Sequence, residues 1–126
     1  MGYTLDDGGG VNGYASTGGT APDVTNAPSF NFDIARGIVG GGSGNGYVLD
    51  GWGGIHPYGN APAATGGAYW QGWDIARGVA AAGASGGEVV DGWGGVHPFW
   101  TSGAASQNPP QVSGYWPGTD RARGIG

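Results

Sequence analysis

Apolar positions in this chain fall in short runs rather than at helical spacing. "YVLD" (Tyr47–Asp50) and "EVVD" (Glu88–Asp91) are flanked by glycine and rich in residues that suit a pleated surface, so both read as strands. Alternation sends Tyr47 and Leu49 to one face and Val48 and Asp50 to the other. Both faces therefore carry apolar side chains and want cover. "GGIHPY" follows "YVLD" after a glycine-rich turn, and the two predict a hairpin. "IARGIV" runs into "GGGSGNG", a turn that leads to the next strand. "RGVAAAG" has the alanine content of a helix, but its counterpart "RGIVGGG" does not, so both are assigned to strand. "AYW" and "GYW" are expected to add a fourth strand. The predicted class is all-β.

The same pattern is written three times. "GYTLDDGGGVNGY" (Gly2–Tyr14), "GYVLDGWGGIHPY" (Gly46–Tyr58) and "GEVVDGWGGVHPF" (Gly87–Phe99) share one template. "DIARGIV", "DIARGVA" and "DRARGIG" share a second, and the intervals are 41 to 46 residues. Approximate units are 2–45, 46–86 and 87–126, which fill the chain as a single repeat array. A unit of this length with four short strands resembles a blade of the β-propeller superfamily, of the NHL-like kind. That resemblance implies sheets arranged about an axis. Ala35 and Gly37 would lie on the inner strand, where blades crowd and side chains must be small.

Propellers commonly have four to eight blades, and three blades do not close. The chain opens on the second strand of a blade and finishes on an inner strand, 120–126. The expectation is therefore a ring closed by homo-oligomerisation, in which 120–126 completes a blade in another chain. A homodimer of six blades is favoured, with a homotrimer next.

Composition narrows the function. There are no cysteines and no lysines; Arg36, Arg77, Arg121 and Arg123 are the only strong bases, and the net charge is −5. Disulfide and thiolate chemistry are excluded. Clustered positive charge for phosphates is lacking, so nucleic acid is not an expected partner. No apolar run reaches membrane length, and no signal peptide is legible at the start. The expectation is a cytoplasmic protein, or the mature part or excised piece of an exported one. Glycine is extreme at 32 residues, which alone would suggest low complexity. The 12% aromatic content and the repeated placement of the glycines argue instead for turns in a folded chain.

Candidate chemistry recurs with the repeat. Trp52, Trp93, His56, His97, Asp50 and Asp91 are candidates for ligand binding. Aromatic faces beside Asp and His are a common means of gripping sugars, and they serve equally to fill a blade interface. An Asp before Gly at a strand end is also a natural turn former. Arg36, Arg77 and Arg123 could ring a channel and take an anion, or pair with Asp33, Asp74 and Asp120 three residues earlier. No nucleophile motif, phosphate loop or paired catalytic carboxylates stand out, and two histidines do not make a catalytic zinc site. No metal, cofactor or enzymatic activity is expected. The predicted function is a self-assembling module with a structural or binding role, carbohydrate being the candidate ligand. The alternative is a propeller fragment or engineered piece whose only activity is oligomerisation.

Overall fold

A computed structural model of the chain describes residues 1–40 and 43–126. Among these residues there is no helix, and three antiparallel sheets follow one another along the chain. The first is a hairpin of β1 (Gly2–Leu5) and β2 (Val11–Tyr14). The second has the order β3 (Ala35–Gly40), β4 (Gly46–Asp50), β5 (Ile55–Tyr58). The third has the order β6-β9-β8-β7, with β6 (Ala64–Thr65), β7 (Ala76–Ala81), β8 (Gly86–Asp91) and β9 (Val96–Thr101). All-β, the hairpins and the strand reading of "RGVAAAG" all hold.

One expectation is corrected. "AYW" (68–70) and "GYW" (114–116) form no strand. The fourth strand of the third sheet is β6, which pairs with the far end of β9. The backbone N–H of Trp70 instead donates to the carbonyl of Trp52, which ties that stretch to the hairpin turn. The segment 120–126, read as an inner strand for a blade in another chain, joins no sheet among the described residues.

The alternation read from "YVLD" explains how the sheets stack. Val48 and Tyr58 of the second sheet meet Tyr3, Leu5 and Val11 of the first. From its other face, Tyr47, Leu49 and Ile55 meet Ala76, Val89 and Phe99 of the third. Each sheet thus buries both faces only where it has a neighbour on both sides. Small residues on the edge strands β3 and β7 let the sheets approach: a Cβ on Gly37 would lie 3.1 Å from a methyl of Val79 on β7. Gly78 repeats this one step on, 3.2 Å from the Cα of Gly124. The segment 122–126 therefore lies against β7 as β7 lies against β3.

Aromatic rings cover glycines in all three sheets. Gly2 pairs with Tyr14, Gly46 with Tyr58 and Gly87 with Phe99, and in each case a Cβ on the glycine would strike the ring. Tyr58 and Phe99 are 0% and 1% exposed, whereas Tyr14 is 54% exposed. Its ring holds the same position, but no sheet among the described residues lies over it. Phe99→Ala should cost about 3–5 kcal/mol of folding free energy, as for other buried aromatics truncated in a core; urea denaturation followed by tryptophan fluorescence measures it.

Candidate functional site

Each hairpin turn is organised by its aspartate. The N–H of Gly53 donates to the carbonyl of Asp50, and Gly53 has φ 96°, a conformation that favours glycine. The Asp50 carboxylate turns back over this loop. Its Oδ1 accepts from the N–H groups of Trp52 (2.8 Å) and Gly54 (3.1 Å), and its Oδ2 lies 2.7 Å from Nε2 of His56. Asp91 repeats the pattern with Trp93, Gly95 and His97 at 2.8, 3.1 and 2.7 Å. Asp6 does the same for Gly8 and Gly10. In that first unit Asn12 stands where the others have histidine.

The aspartates are buried and the histidines about one-third exposed. Burial alone would raise the Asp50 carboxyl above its ordinary value, but the hydrogen bonds from His56, Gly54 and Trp52 outweigh it and hold it low. The polar atoms of Asp50 and Asp91 are thus engaged inside their own hairpins. Phe30 and Trp70 lie edge-on to His56 and His97, with ring centroids 4.9 and 5.0 Å apart, so the imidazoles also join the sheet-to-sheet packing.

The arginines make a second repeated arrangement. Ala35 pairs with Asp50 and Gly37 with Leu49, which leaves Arg36 as the extra residue of a bulge; Arg77 is its equivalent between Ala76 and Gly78. A bulge re-aims a side chain, and here it aims the guanidinium along the stack. Arg36 reaches back to Asp33 (2.9 Å) and forward to Asp74 (2.6 Å). Arg77 reaches back to Asp74 (3.2 Å) and forward to Asp120 (2.6 Å). The forward pairs are two-pronged, through Nε and Nη2. Asp74 and Asp120 are held below the ordinary carboxylate range chiefly by hydrogen bonds from Arg36 and Arg77. Pairing within a unit was legible from the Asp-x-x-Arg spacing. The bridge to the next unit was not, although the 41-residue repeat that places Asp74 one unit beyond Asp33 was a usable signal.

The tryptophans form partly exposed aromatic rows. Trp52 lies between Phe32 and Tyr69, at 6.0 and 6.5 Å, and Trp93 meets Trp73 at 5.3 Å. Phe32, Tyr69 and Trp73 are exposed. Arg121 covers the ring of Trp116 at 5.2 Å. No group of three or more potential metal-ligating side chains occurs among the described residues. No helix among them is long and apolar enough to cross a membrane. Comparison with protein-family models, curated proteins and solved structures finds no match for this chain.

The depressed Asp50, Asp74 and Asp120 carboxyls link stability to pH. Their contribution is complete above the unfolded value near 3.8 and is lost as pH falls through the lower folded values. The expected outcome is acid unfolding that steepens below about pH 4, with a shallower slope in Asp50→Asn. That variant should also lose about 1–3 kcal/mol at pH 7. Urea titrations from pH 2 to 7 check both.

Proposed function

We propose that this protein is a non-enzymatic, self-assembling β-propeller module, whose chains join head to tail into a ring of two copies and six sheets. The observation that carries this reading is a matched pair of deficits. β1 pairs only with β2 among the described residues, whereas its equivalents β4 and β8 each have an inner strand on the other edge. Segment 122–126 has the sequence of that inner strand and joins no sheet. By the register of β3 on β4, Ala122 would pair with Asp6 of a second copy, Gly124 with Leu5 and Ile125 with Thr4. Main-chain hydrogen bonds would supply affinity and the alternating side chains register.

The faces match as well. Tyr3 meets Tyr58, and Tyr47 meets Phe99, at 5.7 and 5.8 Å. The third member of this series is Glu88, and the ring left for it is the exposed Tyr14 of a second copy. Thr4 stands where Val48 and Val89 are buried in the other sheets. Both halves of this interface are more polar than the two inside the chain, which suits surfaces that meet water before they meet each other. Six sheets lie within the usual propeller range and three do not. Light scattering on a sizing column is expected to give twice 12.4 kDa. Gly124→Pro, which removes a ladder donor from the added strand, should give a folded monomer. A parent chain that stays monomeric at high concentration would overturn the reading.

A second role, carbohydrate binding, is favoured by the aromatic rows around Trp52 and Trp93, whose outer rings are exposed. Asp50, His56, Asp91 and His97 would then support the Trp-bearing turns rather than reach ligand hydroxyls. Trp52→Ala combined with Trp93→Ala should abolish glycan-array binding; equal binding by parent and variant would make these Trp packing residues, and no binding by the parent would leave oligomerisation as the sole activity.

A further inference from the structure

The Asp–Arg series is a chain of alternating charges with two open ends. It runs Asp33, Arg36, Asp74, Arg77, Asp120, Arg123. Arg36 and Arg77 each hold a carboxylate of their own unit and one of the next, and their side chains are 24% and 18% exposed. Arg123 holds only its own Asp120, at 2.8 Å, and is 66% exposed. At the opposite end Asp33 has Arg36 of its own unit and is 69% exposed, against 40% for Asp74 and 39% for Asp120.

The backbone around the two ends repeats the internal pattern. Ile75 and Ala76 donate to the carbonyl of Gly51, and Arg121 and Ala122 donate in the same way to that of Gly92. Arg123 therefore leaves the stack in the frame of Arg36 and Arg77. Ile34 and Ala35 donate to the carbonyl of Asp7, so Asp33 is presented in the frame of Asp74 and Asp120. One difference marks the acceptor end. A Cβ on Gly51 or Gly92 would strike the Asp74 or Asp120 carboxylate, and their counterpart in the first unit is Asp7, so the Asp33 carboxylate shares its place with a second acidic side chain. The acceptor end thus offers two carboxylates and the donor end one guanidinium that holds a single carboxylate.

We infer that Arg123 of one copy binds the Asp33 and Asp7 carboxylates of the next, closing the alternating Asp–Arg series into a continuous circuit across the seam. This inference rests on the head-to-tail assembly proposed above and names the charged contact that sets its register. An Arg fork held between carboxylates at a partly desolvated seam is directional, so it would select head-to-tail over head-to-head pairing.

A double-mutant cycle on the dimer dissociation constant, measured by sedimentation equilibrium, tests it. The variants are Arg123→Gln, the pair Asp7→Asn with Asp33→Asn, and all three together. Each side of the cycle is expected to weaken the dimer about tenfold, and the combined variant to be no weaker than either. The side chains of Arg123 and Asp33 are mostly exposed, so unfolding midpoints of the monomers should not move. The parent protein supplies a measurement free of variants. Its dimer should weaken as salt rises from about 0.05 to 0.5 M. Losses that simply add, or a dimer indifferent to salt, would overturn the circuit. If Gly124→Pro still abolished that dimer, the head-to-tail reading would stand without it. A parent chain that never dimerises would overturn both.

Discussion

The close approach of the small-residue strands β3 and β7 is the constraint on which the rest of the structure depends. β3 and β7 meet where a Cβ on Gly37 would lie 3.1 Å from a methyl of Val79, and β7 meets 122–126 where a Cβ on Gly78 would lie 3.2 Å from the Cα of Gly124. A side chain larger than a methyl on Gly37 or Gly78 would push neighbouring sheets apart. The cores between sheets would then lose the contacts that bury Val48, Leu49, Val89 and Phe99. With only 10% charged residues and no cysteine, the chain has little else to hold it. Stacking buries a sheet face wherever a neighbour lies over it, as in other repeat architectures where no unit is stable alone.

Electrostatics follows from that stacking. Because the inner strands are close, a bulged arginine can span from its own sheet to the next, as Arg36 and Arg77 do. These pairs are partly exposed and are modest contributors to stability. Their value is directional, since each ties one unit to the next in a fixed frame. The Asp50 and Asp91 carboxylates act at shorter range, gathering the N–H groups of a tight turn and a histidine ring. Of the residues that sequence reading singled out for ligands, these four therefore lie in hairpin architecture, and Trp52 and Trp93 lie in aromatic rows between sheets.

Much of this was legible in the chain. Glycine-bounded runs such as "YVLD" located the strands, and the repeat located the hairpins and the inner strands. Asp before Gly marked the turns, and Asp-x-x-Arg marked the ion pairs within a unit. The fourth strand was misplaced because "AYW" has strand-like residues, yet Trp70 is taken by a bond to the carbonyl of Trp52. The pairing of β6 with β9 joins residues 64–65 to 100–101, a partnership that no local pattern encodes.

What the sequence determined by itself was therefore everything local or periodic: class, hairpins, turns and the threefold repeat. Only the tertiary structure decided which face of each sheet meets which neighbour, and so which equivalent residues differ in environment. Tyr14 and Tyr58 are the same residue at the same repeat position, one exposed and the other buried. Arg123 and Arg77 are likewise the same residue, one holding a single carboxylate and the other two. The physical reason is that burial and charge pairing across sheets depend on the sheet alongside, and a repeat records the unit rather than its neighbour.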